Sequence, residues 1–422
     1  MAFQQGLSGL DASASQLNTI GNNIANASTV GFKSSNTQFS DIIASAFNGA
    51  GSTSSGIGTQ VSRISQSFTQ GNIQSTGNSL DMAINGQGFF RMNNNGNITF
   101  TRNGQFQLDK NGYLVDAAGN QVTGYLAASN GTIVAATPTP IQIPTANLAP
   151  TPTNQATVGV NLDSSATVPS TTPFNPNDPT TFNNSTSVTV YDSLGNSHIA
   201  SLYFALNATP TAPATASWNT YLTVDGTSVP AVVPPASPTP IGTLGFNASG
   251  TLVSPTTTPP GQIAVSLPLT NGATTPQAIT MSFGNSTQYG SPFGVNQLVQ
   301  NGYTSGQLSG FTTSATGIIQ GNYSNGQSKN LGQIALANFA DPQGLQSLGN
   351  NQWGESFSSG AALIGAPGSG NLGAIQSGAV EGSNVNLTSE LVNMITAQRN
   401  YQANAQTIKT EDQITQTLIN LR

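Results

Sequence analysis

A chain of 422 residues is long enough for two or three domains, yet only 6% of its residues are charged, against about 25% in an average soluble protein. Nine Lys and Arg stand against fifteen Asp and Glu, for a net charge of −6, and no Lys or Arg occurs between Lys110 and Lys329. Nucleic acid, which needs clustered basic residues, is excluded as a partner, and the absence of cysteine excludes disulfides and thiolate metal sites.

The opening sequence MAFQQGLSGLDASASQ has neither a basic start nor an apolar core, so it does not read as a cleaved secretory signal. No run of 18 apolar residues appears, and no membrane insertion is expected. From Phe3 the apolar residues fall at Phe3, Leu7, Leu10, Ala14, Leu17 and Ile24, in alternating steps of four and three with Gly21 in the one vacant place. This spacing predicts a helix over 1–27 with a coiled-coil-like stripe. Gly6, Gly9 and Gly21 each cost about 1 kcal/mol relative to Ala inside a helix, so the segment is not expected to be ordered alone.

Next comes IGNNIANASTVGFK (20–33), leading into a connector read as 28–71. Its short Asn and Ala side chains suit a turning backbone and close neighbours, and Gly31 permits a sharp turn before Phe32 anchors the chain. From 95 to 120, turn pairs recur every eight residues: Asn95-Gly96, Asn103-Gly104, Asn111-Gly112 and Gly119-Asn120. They predict a β-meander within an inner β domain that spans 72–145 and 303–377. A Thr/Pro/Asn-rich stretch and resumed strand patterns such as SVTVYDSLGNSHIASLYFAL mark 146–302 as an inserted outer β domain. Glycines make 378–382 a flexible linker.

Residues 383–422 contain no Gly or Pro and predict a second helix. Its stripe runs through Leu387, Leu391, Met394, Tyr401, Ala405, Ile408 and Ile419, widened by Ile395, Ile414, Leu418 and Leu421. Asn386 is the expected N-cap, Glu390 lies in the first turn, and Arg422 suits the negative end of the helix dipole. The expected fold is therefore mainly β with paired terminal helices, in a nested architecture. Each stripe is too narrow to build a core alone. The helices are expected to pair with each other and then with neighbouring subunits, giving a homopolymer.

No active site emerges. The single histidine, His198, reads as structural, no G-x-S-x-G is present, and the adjacent carboxylates Glu411 and Asp412 lie on the second helix. Gly368-Ser-Gly370-Asn-Leu-Gly373 fits G-x-G-x-x-G, but Pro367 precedes it and Gly378 follows, where a dinucleotide site needs a strand and then a helix. Catalytic, cofactor-binding and metal-binding residues are all expected to be none, and so are cofactors.

Several motifs together carry a resemblance. Asn22, Asn23, Ala25, Asn26, Thr29, Gly31, Phe32 and Lys33, then Phe68, Gln70 and Gly71 as F-x-Q-G, resemble the N-terminal signature of the bacterial flagellar rod and hook family. The runs TGNSLDMAINGQGFF (76–90) and FTRNGQF (100–106), and nearly all of 383–422, are similar to later blocks of the same family. The inserted domain and its Tyr-Gly-Ser-Pro-Phe-Gly exit at 289–294 resemble the hook branch; the shorter rod members lack such a domain. The resemblance implies a curved, flexible tube that acts as a universal joint, transmits torque and encloses an export channel. It also implies type III export and contacts with the distal rod, a hook cap and a hook-filament junction protein, outside the cell. A distal rod protein and, more remotely, a secreted β-rich adhesin are the alternatives.

Overall fold

In the computed structural model, which describes residues 2–43, 56–144, 146–230 and 237–420, helix α1 runs Ala2–Ala25 and helix α2 runs Leu387–Asn420. The backbone N–H of Ser389 donates to Asn386 Oδ1 at 3.1 Å, so Asn386 caps α2, and Glu390 stands in its first turn. Residues 383–386 are not helical. Leu421 and Arg422 lie outside the described residues.

The two helices pair antiparallel. Gly6 faces Ile408, Gly9 faces Asn404, and Asn23 Nδ2 donates to Glu390 Oε1 at 3.1 Å. A Cβ at Gly9 would lie 2.7 Å from Asn404 Nδ2, and one at Gly6 would lie 3.0 Å from Ile408 Cγ1. Two of the glycines that weaken α1 as a helix are thus the residues that let α2 approach. Gly21 has no such neighbour, and nothing in the structure explains it.

The face that α1 buries is one residue away from the expected stripe, about 100° of helix rotation. It consists of Gly6, Ala12, Ser13, Thr19, Ile20 and Asn23. Leu10, Ala14, Leu17 and Ile24 are half-buried, and Phe3 and Leu7 are exposed. On α2 only Ala397 is buried; Met394, Ala405 and Ile408 are half-buried, and Leu387, Leu391, Tyr401 and Ile419 are exposed.

The segment read as a plain connector holds an antiparallel hairpin, β1 (Ser35–Ile43) and β2 (Gly56–Gln66), paired from Ser35–Gln66 to Ile43–Gly56. It lies along α1: Gln5 Nε2 donates to Gly56 O at 2.6 Å, Thr59 N donates to Ser8 Oγ at 3.2 Å, and Thr37 Oγ1 donates to Thr19 Oγ1 at 3.0 Å. Its strands are rich in Ser, Asn, Thr and Gln, and the apolar residues among them, such as Phe39, Ile42, Val61 and Ile64, do not sustain the alternation by which a half-buried strand is recognised.

Both helices and this hairpin belong to a unit formed by Met1–Thr145, Ser309–Asn322 and Ser328–Arg422. Its largest sheet has 13 strands, with Phe89–Asn94, Asn97–Thr101 and Gln121–Leu126 at the centre. One core packs Phe89, Phe100, Phe339 and Trp353 in edge-to-face contacts, with ring centroids 4.8–5.9 Å apart.

The expected meander is interrupted. Asn95 (φ 50°) and Gly96 (φ 97°) form the tight turn between Phe89–Asn94 and Asn97–Thr101, but the latter strand next pairs with Gln352–Gly354. Gly104 is not in a turn: Met82 N donates to its carbonyl at 2.9 Å, and a Cβ there would collide with the Met82 carbonyl. Nor is 378–382 a flexible linker. Ala379–Glu381 is a buried strand paired with Ile73–Ser75.

The second unit, Ala146–Leu308 with Tyr323–Gln327, contains a six-stranded and a five-stranded sheet around one core that includes Trp218, Phe204, Phe246, Phe283, Val158 and Leu202. Strands Asn184–Tyr191 and Ser197–Asn207 form the hairpin whose turn holds Asp192.

Candidate functional site

Glu381 is the centre of the most charged place in the first unit. Its Oε1 lies 2.6 Å from Lys33 Nζ and accepts from Gly71 N at 2.8 Å, while its Oε2 lies 2.9 Å from Arg102 Nη1. All three side chains are buried. Lys33 also donates to Thr69 O at 2.8 Å, and Arg102 Nη2 donates to Gly86 O at 2.9 Å. Burial pulls the Lys33 pKa below its ordinary range, the Glu381 carboxylate pulls it back up, and Arg102 lowers it again. Burial likewise lowers Arg102, with Glu381 opposing. Two of the nine basic residues thus converge on one carboxylate.

Around this centre the motif residues form a joint. Gly31 adopts φ 72°, donates its N–H to the Glu381 carbonyl at 2.8 Å, and sits where a Cβ would come 2.6 Å from Asn103 N. Phe32 is buried behind it. Asn23, 1% exposed, donates to Ser35 O at 2.8 Å, accepts from Ser35 N at 2.9 Å and reaches Glu390, so one amide ties α1, β1 and α2. Asn26 closes the helix end by donating to Asn22 Oδ1 at 2.7 Å and accepting from Thr29 Oγ1 at 3.1 Å; Asn22 and Ala25 face solvent. Phe68 meets Phe89 and Trp353 at 5.5 and 5.4 Å, Gln70 Oε1 accepts from Gly86 N at 3.0 Å, and Gly71 abuts the Gly382 carbonyl without room for a side chain.

Sequence reasoning missed Glu381, Arg102 and Asn384. The Asn384 amide accepts from Ser34 N at 2.7 Å and donates to Ser67 O at 2.8 Å. No local signal marks Glu381: Glu355, likewise beside a glycine, is exposed.

His198 lies in the second unit, with Nδ1 2.6 Å from Asp225 Oδ2 and Nε2 3.3 Å from Asp192 Oδ2. Burial lowers its pKa, but the hydrogen bonds from Asp225 and Asp192 outweigh burial and leave it raised. Burial acts to raise Asp192, yet bonds from Asn196, Asn271 and His198 hold it well below the carboxylate range; Asp225 is lowered too. The raised His198 stabilises fully below its unfolded pKa of about 6.5 and loses that effect as pH rises through its folded value. The aspartates stabilise above about 3.9 and lose the effect as pH falls. The cluster therefore contributes most between about pH 4 and 6.5. His198→Ala is expected to lower the unfolding free energy of this unit by about 1 kcal/mol more at pH 5 than at pH 9, measured by urea titration. An equal deficit at both pH values would refute the charged pairing.

No group of His, Cys, Asp and Glu that could hold a metal occurs among the described residues, and no described helix is long and apolar enough to cross a membrane.

Four family models match the chain. They are the flagella basal body rod protein over 3–33, the flagellar hook protein FlgE/F/G D1 domain over 83–168, the flagellar basal body protein FlaE D2 domain over 161–303, and the flagellar basal body rod FlgEFG protein C-terminal over 376–421. The flagellar hook proteins FlgE of Salmonella typhimurium and Escherichia coli K12 are each 44% identical to it, with both chains covered in full. That of Borreliella burgdorferi is 32% identical over 100% of this chain and 99% of its own. The crystal structure of Helicobacter pylori flagellar hook protein FlgE2 aligns with a TM-score of 0.51 at 16% identity, covering 73% of this chain and 100% of that one, a likeness of fold. With its full length matched at 44% identity and its two terminal helices bound through a motif-built joint, the chain belongs to the flagellar hook protein family.

Proposed function

We propose that this hook subunit polymerises through the apolar stripes that its terminal helices leave uncovered. The observation that carries this reading is the exposure of Phe3, Leu7, Leu387, Leu391, Ile395 and Leu418 on helices that already have a partner. Glycines, Asn23 and Asn404 fill the contact between α1 and α2, so the long side chains remain free to bury against neighbouring copies. Leu7, Leu387 and Leu391 are nearly half exposed, so burying the remainder contributes about 1 kcal/mol each, repeated at every subunit along the tube.

In this reading Leu10, Ala14, Leu17, Ile24, Met394, Tyr401, Ala405, Ile408 and Ile419 complete the interface. The helices line a central channel and the β units stand outside. The polymer is a curved tube, a universal joint carrying torque from the distal rod to the filament outside the cell. Its subunits leave through the type III export apparatus, add beneath a hook cap and end at a junction protein. The joint around Asn23 and Gly31 sets the angle at which the helices leave the β body.

Electron microscopy of basal bodies from cells lacking this gene tests the role. Complete rods that end without a hook are expected. Truncated rods would move the chain into the distal rod, and intact flagella would overturn the reading.

A further inference from the structure

Residues 354–360 hold a phenylalanine in water on a braced turn. Ser356 Oγ donates to Gly344 O at 2.5 Å and accepts from Ser358 N and Ser359 N at 3.1 and 3.2 Å. Ser356 N donates to Ser359 Oγ at 2.9 Å, and Ser359 is itself buried. The Phe357 side chain, between these anchors, is 105% exposed; the next most exposed large hydrophobic residue among those described, Ile419, is 68% exposed. The bonds fix the backbone of the turn, so docking the ring would order only its own side-chain torsions.

The same unit contains a cleft of about 600 Å³ lined by Phe68, Gln70, Gln87, Phe89, Phe339 and Arg102. Phe68 is the half-buried ring at its surface and packs edge-to-face on Phe89, which with Phe339 is buried beneath it. Arg102 closes the cleft from within the ionic centre, where two cations, Lys33 and Arg102, share the single carboxylate of Glu381 and leave one formal positive charge. The turn that carries Phe357 has the opposite sign, since Glu355 is exposed two residues before the ring.

We propose that Phe357 of one copy of the chain enters this cleft in a second copy, with Glu355 directed toward the cationic side. The full exposure of the ring shows that a chain does not fill its own cleft with it. The turn packs beside the segment that walls the cleft, Asp341 N donating to Ser359 O at 3.3 Å, so ring and cleft are neighbouring parts of one surface. Of the ways two copies could exchange rings, the head-to-tail one, in which each copy offers its ring to the next, is the one an open polymer requires. The inference rests on the reading of the chain as a polymerising subunit and adds to the helix stripes a specific contact between the β bodies.

The chain has no cysteine, so pairs placed by mutation report alone. Chains carrying Ser358→Cys, which leaves Phe357 in place, are to be copolymerised with chains carrying Gln87→Cys at the cleft rim and then oxidised. A mixed disulfide dimer is expected from the polymers and not from dissociated subunits at the same concentration. Polymers that form without the mixed dimer would overturn the contact and leave the polymer reading standing; failure of the unmodified chain to polymerise would strike that reading, and the contact with it. As a second measurement, Phe357→Ala is expected to leave subunit unfolding unchanged while raising the critical concentration for polymerisation about 30-fold, as loss of an interface anchor does. An unchanged critical concentration would exclude a second copy as the occupant.

Discussion

Glu381→Ala is expected to lower the stability of the helix-bearing unit by about 3–5 kcal/mol, because it leaves Lys33 and Arg102 buried without their shared counter-charge. Gly71 N loses its acceptor in the same step. Uncompensated buried charge costs more than an absent contact, which places this effect above that of an ordinary cavity at the same site. The chain has two tryptophans, one in each unit: Trp353 packs in the aromatic core of the first, and Trp218 lies in the core of the second. Single-tryptophan variants, Trp218→Phe and Trp353→Phe, therefore let urea unfolding be followed one unit at a time. The Trp353 transition is expected to move to lower urea while the Trp218 transition stays. An unmoved Trp353 midpoint would mean that the buried carboxylate is dispensable.

Leu391→Asp and Leu7→Asp are expected to leave a folded subunit that does not polymerise. Both leucines are nearly half exposed in the single chain, so a charged replacement there disturbs little of the fold. In an assembled tube each would place an unpaired carboxylate in an apolar contact, adding a desolvation cost to the lost burial of about 1 kcal/mol. The critical concentration should rise at least about 10-fold per substitution. Sedimentation with electron microscopy of the pellet reads the outcome; normal polymers from both variants would show that the stripes are not the interface. Leu17→Asp and Ile408→Asp are less clean, because these half-buried residues lie closer to the intramolecular helix pair, Ile408 directly against Gly6.

Much of this was legible in the sequence, for identifiable reasons. Helix spacing is a strong local signal, and Asn386 was legible as the N-cap of α2 with Glu390 in its first turn, although the helix itself was read from 383. The Asn95-Gly96 turn was legible because positive φ at both positions is a local demand of the backbone. What stayed hidden was set at long range. The pairing of Asn97–Thr101 with Gln352–Gly354 joins residues some 250 positions apart, and no local pattern announces it. Hairpin β1–β2 escaped because its few apolar residues, Phe39 and Val61 among them, are scattered among Ser, Asn, Thr and Gln without a sustained period of two. The face of α1 was misread by one residue because the stripe was taken from its largest apolar side chains, whereas Gly6, Gly9 and Asn23 make the closest approach to α2. Glu381 was passed over because the glycines around it read as looseness; Gly71 and Gly382 in fact meet so tightly that no side chain would fit.

The bond between Lys33 and Glu381 spans 348 positions of sequence. Lys33 follows α1 and Glu381 precedes α2, so the whole β body intervenes between the two halves of the joint. A chain built from its N-terminus cannot close this joint until almost all of it is present. A copy broken off anywhere before residue 381 arrives with Lys33 and Arg102 lacking their acid, and with no α2 to cover α1. The ionic centre thus makes the folding of this unit depend on both ends of the sequence being present.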